Sequence, residues 1–191
     1  MPSTRDPFHI HGFGASAPWL DLVNSQRWDG FGKLTDHLDD IAWIRSFSRF
    51  WNFRFKPGTP PPQQALRELR SLLRRLVEKA SAQGSLRRED VEPLNSWLKV
   101  PVFPRLVEIQ NGFELSLQPV QLGWPAVLAK IAASFGGSLI QEQHGRLKIC
   151  ANPDCRWIFI DRTKGNIRRW CDAATCGNRD RVRRSRANHK K

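Results

Sequence analysis

The sequence predicts an α+β chain: a mainly helical amino-terminal domain containing one β-hairpin, then a small four-cysteine module that ends in a basic helix. Three observations carry that expectation. Stretches before residue 140 repeat apolar residues at three- and four-residue steps. All four cysteines fall in the last quarter of the chain, in two pairs of equal spacing. Positive charge gathers around and behind them: residues 145–191 hold 14 Lys or Arg against 4 Asp or Glu, a net of +10, whereas residues 1–144 hold 17 against 14. A length of 191 residues accommodates one medium domain, 1–140, and one small module, 141–191.

Residues 1–18 are rich in Gly, Pro and Ser and read as an extended lead-in. His9 and His11 there are expected to be solvated rather than metal-bound, and Gly12-Phe-Gly14 lacks the preceding strand that a phosphate loop needs. Folding is expected to begin at Trp19-Leu-Asp-Leu-Val-Asn24-Ser25. After a Gly-containing loop at 29–32, Thr35 is placed to cap a helix whose Leu38, Ile41, Ile44, Phe47 and Trp51 share one side.

A Pro-rich break at 56–62 precedes the clearest helix, 63–82. Its stripe is Leu66, Leu69, Leu73, Leu76 and Ala80, with Arg67, Arg70, Arg74 and Arg75 on a face expected to be solvated. Gly84 ends it. Asp90 is placed as the cap of a shorter helix to Leu98, with Pro93 in its first turn.

Val107 and Ile109, the pair Asn111-Gly112, then Phe113, Leu115 and Leu117 spell a hairpin. A helix over 125–135 follows, with Gly136-Gly137 as its stop, and Arg146–Cys150 reads as a strand. This domain contains no catalytic constellation, so no enzyme is expected. Trp19, Trp28, Trp43, Trp51, Trp97 and Trp124 are expected in its core, and a small-molecule effector held among these rings is the ligand role open to it.

The cysteines are Cys150 and Cys155, then Cys171 and Cys176. Two C-x4-C turns can supply the four corners of a tetrahedral Zn²⁺ site. A four-thiolate cage also suits iron. Disulfides would require an oxidising compartment, and no basic-then-apolar leader opens the chain. The expectation is therefore a cytoplasmic protein with structural Zn²⁺.

Trp157–Ile160 reads as a strand, Thr163–Asn166 as a turn and Ile167–Trp170 as the returning strand. Asp172 is a plausible N-cap, which places Cys176 in the first turn of a helix through Arg186. A cysteine turn, a hairpin and a ligand-bearing helix make a treble-clef-like finger. Gly177 is expected to permit close backbone approach and Asn178 to tie the turn with its amide.

In the last helix Arg179, Arg183 and Arg186 share a face, flanked by Arg181 and Arg184, and Val182 is nearly the only apolar residue. Such a helix is either solvated or laid against a polyanion. Arg168 and Arg169 project beside the metal and join the expected nucleic-acid contacts. DNA is the first reading, with RNA or an acidic protein surface as the alternative partner. No apolar run approaches the roughly 18 residues of a membrane span. No heptad seam fixes an oligomeric state.

The string Cys150-x4-Cys155-x3-Phe159-x-Asp161-x-Thr163, then Arg168-Arg169-Trp170-Cys171 and Cys176-Gly177-Asn178-Arg179, resembles the CGNR zinc finger of bacteria. Leu20-Asp-Leu-Val-Asn24-Ser25 and the helices after it resemble the ABATE domain that precedes such fingers. The resemblance implies a bacterial transcription regulator whose finger binds DNA.

Overall fold

The fold is that of a computed structural model, which describes residues 17–29, 31–55, 58–141 and 144–188. The lead-in with His9, His11 and Gly12–Gly14 lies outside them, as do Gly30, Lys56 and Pro57.

Helix α1, Pro18–Val23, opens on a proline whose missing N–H costs nothing in the first turn. Every residue of α1 is buried, which explains why so short a helix persists. The Trp19 ring meets Phe135 edge-on at 5.0 Å, and its indole N–H donates to the Ser138 hydroxyl at 2.8 Å.

Strands β1, Gln26–Trp28, and β2, Leu34–Asp36, form a short antiparallel ribbon. This ribbon takes Thr35 away from the helix it was expected to cap. The Asp36 carboxylate caps a 3₁₀ turn at His37–Asp39 by accepting from the Leu38 N–H, and Asp40 caps α2, Ile41–Phe50, by accepting from the Ala42 N–H. The aspartates win because carboxylates accept at an N-cap better than a threonine hydroxyl does. Leu38, Ile44 and Phe47 are buried as the periodicity predicts, but Ile41 in the first turn faces solvent.

Helix α3, Gln63–Gln83, is the spine. Its stripe of Leu66, Leu69, Leu73, Leu76 and Ala80 is fully or nearly fully buried, and Gly84 closes it in the left-handed conformation with φ 74°. Of the four arginines expected to be solvated only Arg75 is exposed. Arg70 is buried and donates to both oxygens of Asp36 at 2.6 Å, while Arg67 pairs with Asp39. Asp36 thus serves as helix cap and counterion together. Desolvation would raise its pKa, but Arg70 and the Leu38 N–H outweigh it, and the carboxyl sits below its usual range.

In α4, Arg88–Trp97, Asp90 stands at the third position rather than as the cap, accepting from the Arg87 N–H. Pro93 therefore falls in the second turn, beyond the place where it was expected. The helix tolerates it on an exposed side, with Leu94 as its one buried residue.

Strands β3, Val102–Ile109, and β4, Gly112–Pro119, form the expected hairpin, pairing from Val102↔Pro119 to Ile109↔Gly112. The turn is Gln110-Asn111, one residue earlier than expected, with Gly112 entering β4 at φ 139°. Helix α5, Trp124–Gln141, runs straight through Gly136-Gly137. The stop fails because Phe135 and Ser138, on either side, dock against α1. That packing outweighs a cost of about 1 kcal/mol per helical glycine.

Trp19, Trp43 and Trp124 are buried, while Trp28, Trp51 and Trp97 are half-buried. Among the described residues no helix is long and apolar enough to cross a membrane.

The cysteine module is not a bead on a string. Strands β5, Leu147–Ile149, and β6, Ile158–Ile160, pair with each other, and Leu147, Ile158 and Ile160 belong to the main core beside α1 and α3. The returning strand expected at 167–170 is replaced by β5, which holds the whole Cys150–Cys155 turn between itself and β6.

Candidate metal centre and basic helix

β5 delivers Cys150 into a tight turn, and the chain leaves Cys155 through Arg156 at φ 54° to enter β6. A left-handed non-glycine residue costs about 1–2 kcal/mol. Its partners offset that. The Arg156 carbonyl accepts from Arg74, its guanidinium lies 5.3 Å from the Trp28 ring centroid, and Arg74 lies 5.5 Å from the same ring.

Asn152 organises the turn. Its carbonyl accepts from the Cys155 N–H at 3.0 Å, its side-chain oxygen from the Asp154 N–H at 3.2 Å, and its amide donates toward the Cys176 sulfur at 3.7 Å. The second cysteine pair is brought in by a hydrogen bond from the Ala151 N–H to the Arg169 carbonyl, 2.8 Å.

Asp172 caps the next element as expected, accepting from the Thr175 N–H at 2.6 Å. That element is a wide turn, Ala173–Gly177, closed by Gly177 N–H to Asp172 carbonyl at 3.1 Å, and α6, Asn178–Asn188, continues from it. Cys176 sits in the wide turn just ahead of the regular helix. Gly177 is not demanded by space: a Cβ there would rest 3.5 Å from the Trp170 ring, an ordinary contact. Asn178 is exposed, and the amide near the sulfurs belongs to Asn152.

The four sulfurs are buried and lie within 4.8 Å of one another. Cys155 and Cys171 sulfurs are 3.6 Å apart, Cys171 and Cys176 sulfurs 3.7 Å. A tetrahedron with metal–sulfur bonds of about 2.3 Å has edges of about 3.8 Å, so the spacing is that of one ion's coordination shell. All four cysteines are free of disulfides.

Hydrogen bonds from Cys155 and Cys171 hold the Cys150 thiol far below its ordinary range, and the same bonds push Cys155 and Cys171 upward. Thiolates packed this closely repel one another without a counter-charge. A divalent ion removes that repulsion.

Residues 16–140 match the ABATE family, described as "Putative stress-induced transcription regulator". The chain belongs to the ABATE family. Residues 146–189 match the CGNR zinc finger. No curated protein matches the chain. The clustered cysteines and the finger together establish structural zinc as the cofactor of this ABATE protein. Neither family is an enzymatic one.

The arginines divide into two sets. Arg168 is turned inward: it donates to the carbonyls of Trp170 and Cys171 and lies 4.7 Å from the Phe159 ring centroid. Arg179 is held by the first domain, donating to the Asp29 carbonyl at 3.1 Å and lying 4.3 Å from the Phe31 ring. Arg169 is exposed, stacked 5.2 Å from Trp170. Arg181, Arg183, Arg184 and Arg186 are exposed along α6, which buries no residue at all. Asp180 accepts from Arg183 at 2.9 Å and Arg184 at 2.6 Å. With both guanidiniums more than half exposed, solvent screens these pairs and they contribute little.

Sequence reasoning missed Asn24. Its amide donates to the Ile158 carbonyl at 2.8 Å and its oxygen accepts from the Ile158 N–H at 2.9 Å, so one side chain acts as a strand neighbour to β6. Both groups are buried. Asn24→Ala strands a donor and an acceptor, each costing about 1–3 kcal/mol. Thermal unfolding should therefore shift down by roughly 5–10 °C, with zinc content unchanged. A melting temperature equal to the wild type would show that the clamp adds nothing.

Proposed function

We propose that Cys150, Cys155, Cys171 and Cys176 each give one thiolate to a single Zn²⁺, and that the ion holds α6 out from the body so that its arginines lie along the phosphates of duplex DNA. The observation that carries this reading is α6 itself: an eleven-residue helix with no buried residue and five arginines against one aspartate. Such a helix has no packing energy of its own and needs both a rigid root and an anionic partner. The root is the metal-bound turn at Cys176, and the partner is a phosphate backbone.

Within this reading Arg169, Arg181, Arg183, Arg184 and Arg186 release counterions, whereas Arg168 and Arg179 position the helix. The first domain supplies the rest of a transcription regulator, and its aromatic rings are where an effector would bind. Titration of duplex DNA against salt tests the reading. Log affinity should fall linearly with log salt, and Arg183→Ala with Arg186→Ala should reduce the slope by about 1.8, or roughly 0.9 per phosphate contact. Absence of duplex binding at low salt overturns it. So does preference for RNA or an acidic polypeptide over duplex of equal charge.

A further inference from the structure

Among the described residues the β3–β4 hairpin pairs with no other strand, and its two faces differ. Side chains opposite each other across an antiparallel pair share a face. One face therefore carries Val102, Pro104, Leu106, Phe113, Leu115 and Leu117, with Glu108 as its only charged residue. The other is mixed, with Phe103, Val107 and Ile109 interspersed among Arg105, Glu114, Ser116 and Gln118.

The apolar face is the less covered of the two. Val107, Ser116 and Gln118 of the mixed face are partly covered, while Leu106, Phe113, Leu115 and Leu117 are 66%, 72%, 69% and 66% exposed. Val120 and Leu122, just beyond, are 57% and 56% exposed. An isolated two-stranded hairpin is marginal in water, so an uncovered apolar face is a standing cost.

We propose that this face is the contact between two copies of the chain, packed hairpin on hairpin about a two-fold axis. Three observations select a second copy. The first is area. Taking about 150–200 Å² for a fully exposed Leu or Phe, the face presents roughly 600 Å² of apolar surface, and Val120 and Leu122 extend it toward the roughly 800 Å² per partner of a specific interface. The second is self-complementarity. The face is nearly uniform in chemistry, so a two-fold pair matches apolar surface with apolar surface, with Glu108 at the tip as its one charge, the two sheets stacking about 10 Å apart.

The third is charge. The chain carries +13, yet the hairpin, with Arg105, Glu108 and Glu114, is net −1, so the positive charge is concentrated away from this contact. A dimer would also present two copies of α6 to one duplex, but the proposal stands on the hairpin alone, whatever α6 binds.

Sedimentation velocity of the zinc-loaded full chain, from about 1 to 100 µM, tests it. The expected mass rises to twice the 22.0 kDa of one chain, with half-association at about 10 µM or below. Leu115→Glu with Leu117→Glu should return the protein to monomer at every concentration, with zinc content and far-ultraviolet circular dichroism unchanged. A wild type that stays monomeric at 100 µM overturns the proposal, even if the hairpin then binds vesicles or another protein. A folded double variant that still dimerises overturns it too, because the contact then lies elsewhere.

Discussion

Stripping zinc from this protein is expected to unfold far more than the finger. Removing the ion from a four-thiolate cage forfeits on the order of 10 kcal/mol and leaves four buried sulfurs packed together without a counter-charge. The Cys150–Cys155 turn lies between β5 and β6, and those strands place Leu147, Ile158 and Ile160 in the main core. Loss of the turn loosens the hairpin, and loss of the hairpin uncovers α1 and α3 on that side. Chelation at neutral pH, or Cys171→Ser, should abolish the helical signal of α6. The whole chain's melting temperature should fall by more than 10 °C, since about 3–5 kcal/mol of shared core packing goes with it. Duplex affinity, if α6 is the contact, should drop below detection in the same samples. If the chelated protein melts as the zinc-loaded form does, the two parts fold independently and the shared core carries no weight.

That coupling is the part of the molecule least legible in the sequence. The spine of α3 was readable because five residues recur at helical spacing and nothing competes with them. The cysteine centre was readable because ligand type and spacing are short-range. The errors occur where a distant partner decides. Arg70 looks like a surface residue until β2 brings Asp36 beneath it, and Gly136-Gly137 looks like a stop until α1 packs across it. Ile167–Trp170 has the residues of a strand but lost its place to Leu147–Ile149, because the cysteine turn closes more tightly onto the preceding strand. Asn24 had no local mark as a clamp, since its partner lies 134 residues away.

The same long-range logic makes Asp161 the most sensitive residue outside the sulfurs. It is fully buried at the end of β6, accepting from the Lys148 ammonium at 2.7 Å, the Thr163 hydroxyl at 2.6 Å and the N–H groups of Thr163 and Arg168 at 3.0 and 2.8 Å. One carboxylate thus ties β5, the loop after β6 and the approach to Cys171. Burial alone would raise its pKa, but Lys148, Thr163 and the two amides outweigh it, so the group stays ionised well below the usual carboxylate range. Asp161→Asn turns an amide N–H₂ toward these donors and leaves the Lys148 charge without its counterion. Breaking a buried pair in this way costs about 3–5 kcal/mol, which for a chain of this size lowers the melting temperature by roughly 10 °C. Because the folded carboxyl is depressed relative to an unfolded value near 3.9, its contribution is complete at neutral pH and fades as pH falls below about 4. The thiolates that hold the ion protonate on the way into that range, so charge is separated from packing at pH 7 by removing both partners. Asp161→Asn with Lys148→Met should cost less than Asp161→Asn alone, because no ammonium is then left without its counterion. A double variant as unstable as the sum of the two single ones would mean that the shape of the side chain, and not its charge, holds the finger together.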